Sequence, residues 1–164
     1  MADYAFVTLW HVAAPIERVW QAIADVERWP DWWKAIARVE VVQPGAPDGA
    51  GRVVNLTFRT ALPYSLTFET KTVRSEPPRL LEAQARGDLE GVGRWTLTPD
   101  GAGTLVRYDW NVHTNRRWMN LLAPLARPAF NWNHDVTMGW GAEGLARLLG
   151  TEVTSVELRE QTPG

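Results

Sequence analysis

His134 is the histidine best placed to do chemistry. It falls between Phe130 and Met138 at four-residue steps, on the stripe of a helix that should face inward. An imidazole there could move a proton, or donate a hydrogen bond to the carbonyl of a bound molecule. It could equally be a core histidine satisfied by neighbouring backbone, and the residues alone leave both readings open. Asp135 follows directly and Asn131 stands one turn before it. Adjacent helical residues diverge by about 100°, so a His–Asp dyad within the helix is not expected. The partners in an acid–base scheme would be Tyr64 or Tyr108, from strands across the molecule.

Other chemistries fare worse. His11 and His113 lie opposite the apolar alternation of their segments and should be solvated, so a multi-histidine metal centre is not expected and no metal is assigned. There is no cysteine, which removes disulfides, thiolate metal sites and cysteine nucleophiles and fits a cytoplasmic protein. Gly87 to Gly93 lacks the spacing and the Lys-Ser/Thr end of a phosphate-binding loop, and no cofactor is expected. Ser65 and Ser75 have no nucleophile-elbow context. Arg116-Arg117-Trp118 reads as a basic, aromatic lip or as a solvated turn before a helix. The net charge of -2 offers no bulk reason to expect nucleic acid. No run reaches the roughly 18 apolar residues of a membrane span. The N-terminal stretch lacks a basic region and is interrupted by polar residues, so a signal peptide is not expected.

The elements that must hold these residues can be read from periodicity. Pro128 suits the first turn of a helix and Gly150 the residue past its end. Phe130, His134, Met138, Gly141, Leu145 and Leu148 then share one stripe about 33 Å long. Its last third reads as core and its first third as the roof of a cavity. Gly139, Gly141 and Gly144 each cost about 1 kcal/mol relative to Ala, which predicts a close approach of sheet or ligand to the helix. Upstream, Tyr4, Phe6, Thr8, Trp10 and Val12 alternate along a strand. A short helix follows Pro15, and Trp29-Pro30-Asp31-Trp32-Trp33 begins a second helical turn after a break at Trp29. Further strands carry Val39 to Val42, then Val54, Leu56 and Phe58, then Tyr64, Leu66 and Phe68. Leu81 to Ala85, Trp95 with Leu97, and Val106, Tyr108, Trp110 and Val112 follow, with a hairpin at Asp100-Gly101. The ten tryptophans predict either a large aromatic core or a wide aromatic-lined pocket. Residues 1–150 form one domain in this reading, and 151–164 form a flexible polar tail.

The strand ending Val12-Ala13-Ala14-Pro15, the following Ile16-Glu17-Arg18-Val19-Trp20, and Asp25 with Trp29 to Trp33 resemble the opening of the START/Bet v 1-like (SRPBCC) superfamily. The likeness is to its polyketide cyclase/dehydrase and lipid-transport branch, and it spans residues 4–150. It implies an α+β helix-grip fold: a curved antiparallel sheet of about seven strands wrapped around a long C-terminal helix, with two short helices after strand 1. It also implies a cavity between the concave sheet and residues 128–141. The expected ligand-binding set is Trp10, Phe58, Tyr64, Phe68, Trp95, Tyr108, Trp110, Phe130, Asn131, His134 and Met138. Two functions compete. One is a carrier or sensor of a hydrophobic, aromatic or polycyclic small molecule. The other is a cyclase/dehydrase-like enzyme with His134 as acid or base. A peptide-binding or oligomerising role would instead need an exposed apolar rim, and the oligomeric state, monomer or homodimer, stays open.

Overall fold

The computed structural model describes residues 3–159. Residues 160–164 of the expected tail lie outside the described residues. Strand β1 (Asp3–Val12) leads through Pro15 into helix α1 (Ile16–Ala24). Pro15 is preset for a helix start, and Val19, Trp20 and Ile23 form the face that α1 buries. A single 3-10 turn (Val26–Arg28) precedes helix α2 (Trp29–Trp32). Trp29 is itself helical, so Pro30 falls within the first turn of α2, where its missing N–H costs nothing. The break lies at Asp25 (φ -84°, ψ 73°), four residues before the one expected.

Six strands then meander: β2 (Ile36–Gln43), β3 (Val53–Arg59), β4 (Ser65–Glu76), β5 (Leu80–Gly87), β6 (Leu89–Asp100) and β7 (Gly103–Thr114). The 33-residue helix α3 (Arg117–Leu149) follows, and strand β8 (Val153–Leu158) closes the chain. All eight strands form one sheet in the order β2-β3-β4-β5-β6-β7-β1-β8, each neighbouring pair antiparallel. One face carries α3 and the two short helices. The alternation along β7, with Val106 buried opposite exposed Arg107, is what one covered face requires.

The expected curved sheet of about seven strands is present, with an eighth, β8, added at its edge. Two expectations need correction. The long helix begins at Arg117, eleven residues before Pro128, and contains Pro124 and Pro128. Those prolines are four residues apart and both exposed, so the two missing rungs fall on one solvent-facing side where water can take the freed carbonyls. The flexible-tail expectation also fails for 153–158. Gly150, at φ 66°, ends α3 in a left-handed turn that reverses the chain. Thr151 Oγ1 donates to the Ala13 carbonyl (2.7 Å), and the Ala13 amide donates to Glu152 O (3.0 Å). β8 then pairs with the otherwise open edge of β1, Val7 facing Leu158 and Val12 facing Val153. An unpaired edge of ten residues would leave a row of backbone donors and acceptors without partners.

The core sits under the C-terminal half of α3. Trp10, Trp29, Trp32, Trp33 and Trp95 interlock there at tilted, stacked and edge-on angles, with centroids 5.4–6.1 Å apart. Two of the three helix glycines are explained by these tryptophans, one by their rings and one by backbone. A Cβ on Gly141 would meet Trp10 Cζ2 at 2.8 Å, and one on Gly144 would overlap the Trp32 carbonyl. Gly139 has open space beside it, so close approach does not account for it. The approaching groups are tryptophans of β1 and α2.

Candidate functional site

Where α3 leaves the tryptophan core and passes over the middle of the sheet, the two layers separate. The space left is a cavity of ≈130 Å³. That is below the roughly 300–1,000 Å³ of a pocket for a drug-sized ligand and suits a smaller one. Its floor is an aromatic column across three strands. Trp95 and Tyr108 stack with centroids 4.0 Å apart, Tyr108 and Trp110 lie 5.9 Å apart, and Trp110 meets Phe68 at 5.8 Å. Gly93 makes the column fit: a Cβ there would stand 2.9 Å from the Trp110 ring and 3.1 Å from the Tyr108 hydroxyl. The roof is Phe130, Asn133, His134, Thr137 and Met138 of α3. Tyr64 and Met119 line one end, and Tyr4 and Phe6 of β1 line one side.

Of the residues expected to contact a ligand, Phe58, Tyr64, Phe68, Trp95, Tyr108, Trp110, Phe130, His134 and Met138 line the cavity. Trp10 and Asn131 do not. Trp10 is 1% exposed and walled off, edge-on to Trp33 (5.8 Å) and tilted against Trp95 (5.4 Å). Asn131 sits at the margin of the inward stripe, and Asn133 lines the cavity instead, its Oδ1 accepting the Ala61 amide (2.6 Å). Sequence reasoning passed over Phe6, Trp29, Trp33, Asn133 and Thr137 as lining residues. The alternation of β1 already put Tyr4 and Phe6 on the Trp10 face, which was the available signal. Trp33 also clamps the roof, its Nε1 donating to the Thr137 carbonyl (2.9 Å).

Electrostatics follow from enclosure. Burial raises the Tyr108 phenol well above its ordinary value and pushes Tyr64 up to about 12, with Tyr4 adding to the effect and Arg116 opposing it. The Tyr4 hydroxyl is buried without a partner, and burial raises it too, against the Arg127 guanidinium over its ring. His134 lies flat on Phe6, centroids 3.8 Å apart and planes 8° apart. Burial, helped by Arg159, drives it down to about 3, so the ring is neutral. The Asp135 Oδ1 stands 3.9 Å from its Nδ1, too far for a hydrogen bond. The nearer carboxylate is Glu157 of β8, 3.6 Å away, which sequence reasoning had placed in the tail. Burial pushes Glu157 up to about 7, with Asp135 adding to the shift, while hydrogen bonds from Thr8 Oγ1 (2.8 and 2.9 Å) and the charge of Arg159 pull it back.

The basic lip is partly built in. Arg116 donates to Asp88 Oδ2 (2.9 Å), and Trp118 sets its edge against Tyr64 (5.2 Å) beside the cavity's end. His11 is about half exposed, with Asp100 3.9 Å away. His113 sits on the outer face near Glu90. Among the described residues no helix is long and apolar enough to cross a membrane.

A curved antiparallel sheet gripping one long helix, with two short helices after the first strand, defines a helix-grip domain of the Bet v 1-like type. The sequence model for "Polyketide cyclase / dehydrase and lipid transport" matches residues 6–157, and the chain belongs to that family within the SRPBCC superfamily. Solved structures agree on the fold. An aromatase/cyclase, Zhui, from a Streptomyces species is 19% identical at a TM-score of 0.71, over 89% of this chain and 93% of that one. Protein TTHA0849 of Thermus thermophilus is 20% identical at 0.68, covering 90% and 99%. A norcoclaurine synthase point mutant of Thalictrum flavum, in complex with a transition-state analogue, is 16% identical at 0.61, covering 90% and 94%. No curated protein matches the chain by sequence.

Proposed function

We propose that the protein binds a flat, largely apolar small molecule between the sheet and α3, acting as a carrier or sensor. The observation that carries this reading is the Trp95–Tyr108–Trp110–Phe68 column. A continuous row of aromatic rings bordering free space offers a flat ligand apolar contact area, and family membership in a polyketide and lipid-transport group supports the same ligand chemistry. Burying about 400 Å² of apolar ligand surface contributes roughly 10 kcal/mol gross, and association costs of 4 kcal/mol or more reduce that to micromolar binding or weaker. The cyclase-like reading has less behind it. An acid or base works best near the operating pH, whereas His134 is held neutral down to about pH 3.

Titration with a flat apolar fluorophore, followed by quenching of the intrinsic tryptophan emission, tests the reading. Saturable quenching in the micromolar range is expected. Absence of any response below millimolar concentration overturns it. Should a substrate be found, His134→Gln addresses the enzyme reading: an acid–base role requires a loss of about 10²–10⁴-fold in turnover with affinity retained. A carrier should lose about tenfold in affinity at most, the worth of one hydrogen bond.

A further inference from the structure

Among the described residues, five buried side-chain polar atoms have no hydrogen-bond partner, and three of them meet at one place: both ring nitrogens of His134 and Oδ1 of Asp135. That place lies where α3 crosses β1 and β8. His134 Nδ1 stands 3.6 Å from Glu157 Oε2 and 3.9 Å from Asp135 Oδ1, and one donor atom from each of the three residues lies within 4.8 Å of the others. The His134 side chain is only 10% exposed.

Everything around the three donors holds them in place. Thr8 Oγ1 shares its one proton between the two oxygens of Glu157, 2.8 and 2.9 Å away. The Arg159 guanidinium engages Asp135 through Oδ2, leaving Oδ1 turned toward the histidine. Phe6 stacks on the imidazole and fixes the plane of its ring. Buried polar atoms left unmatched each cost about 1–3 kcal/mol, and His134 Nδ1 and Asp135 Oδ1 stand 3.9 Å apart, with Glu157 Oε2 3.6 Å from the same nitrogen.

We propose that His134 Nδ1, Asp135 Oδ1 and Glu157 Oε2 form a binding site for a divalent transition-metal ion, zinc fitting best. With metal–ligand bonds of about 2.0–2.2 Å, the edge of a tetrahedral site is about 3.4 Å. The two histidine separations, 3.6 and 3.9 Å, must close by up to about half an ångström, and the carboxylate pair, within 4.8 Å, by up to about 1.4 Å, a swing that a side-chain rotation of Asp135 or Glu157 can supply. An imidazole nitrogen with two carboxylates suits zinc and its neighbours better than magnesium or calcium, which prefer oxygen alone. The contacts from Thr8 and Arg159 are outer-shell partners of the kind that orient metal-bound carboxylates. Three protein ligands leave a fourth position for water. Coordination through Nδ1 would also put the imidazole proton on Nε2. The sequence assigns no metal because it offers one inward histidine beside one aspartate, and Glu157 joins them only when β8 pairs with β1. The site shares His134 with the cavity roof, while Asp135 and Glu157 lie outside the cavity lining.

The test is titration of Zn²⁺ alone into the tag-free, chelator-stripped full chain, read by calorimetry and by the thermal midpoint. One ion per chain, bound at micromolar concentration or tighter, is expected, with a rise in the midpoint. Glu157→Gln and His134→Gln should each weaken binding at least tenfold, and Thr8→Val by a smaller factor. His113→Gln, on the outer face, should change nothing. The ¹⁵N resonance of His134 Nδ1 in the wild type supplies a readout that needs no variant to fold, and it should shift on zinc addition while Nε2 reports a bound proton. Absence of binding up to millimolar zinc, full affinity in Glu157→Gln, or an unmoved Nδ1 resonance overturns the proposal and leaves the gap to a bridging water.

Discussion

The carbonyl of Trp32 occupies the place where a side chain on Gly144 would have to sit. This contact brings α2 against the backbone of α3, beside Gly141, whose missing side chain admits Trp10 and Trp33. Helix propensity and packing therefore pull in opposite directions at two nearby glycines. At Gly139 a Cβ meets nothing within 4 Å, so Gly139→Ala should stabilise by about 1 kcal/mol. Gly144→Ala should destabilise by roughly 1–3 kcal/mol, because backbone must move to admit the methyl group. Urea midpoints of the two variants check the pair, and the same sign at both sites would contradict the packing described.

The two leucines near the end of α3 should also part company. Leu145 has no exposed surface, whereas Leu148 is 51% exposed. Leu145→Ala is expected to cost about 2–5 kcal/mol. Leu148→Ala should stay within about 0.5 kcal/mol of wild type. Sequence periodicity put both on the buried stripe, so equal large losses in a denaturant series would restore that reading.

Filling the cavity should separate binding from folding. Ala83 of β5 lines the space opposite the helix roof. Ala83→Phe is expected to keep or raise the thermal midpoint while weakening dye binding at least tenfold. If the dye binds the variant as it binds wild type, the aromatic column is not where it sits.

Acid should unfasten the start of α3. Asp88 accepts hydrogen bonds from the Thr67 amide (2.8 Å) and Arg116 (2.9 Å). Partial burial would raise its carboxyl, but the bond from Arg116, the Thr67 amide and the Arg116 charge outweigh it and hold the group below the usual carboxylate value. A carboxyl lowered on folding stabilises the protein fully above its unfolded value of about 3.9, and that contribution disappears as the pH falls through the folded value. Asp88→Asn should therefore be less stable than wild type at pH 7, with the gap closing as the pH is lowered below about 4. A gap that stays constant down to pH 2 would show that the ionised pair contributes nothing.

Much of this molecule was legible because it is written in short-range patterns. Alternation at two-residue spacing put Phe58, Phe68, Trp95, Tyr108 and Trp110 on covered strand faces, and steps of three and four put Phe130, His134 and Met138 on one side of a helix. Pro15 and Gly150 marked boundaries because a fixed φ and a left-handed φ are properties of single residues. What the chain could not declare locally was decided by closure of the sheet. The segment Val153–Leu158 reads as polar tail until the open edge of β1 is there to pair with it. That pairing brings Glu157 to His134 across 23 positions of sequence. Trp10 has the same periodicity as Tyr4 and Phe6, yet curvature and the two short helices put it in solid core while the others face space. Periodicity states which side of an element is covered. Whether that side meets packed rings, a cavity or a distant carboxylate depends on where the other layer runs, and only the folded chain sets that distance.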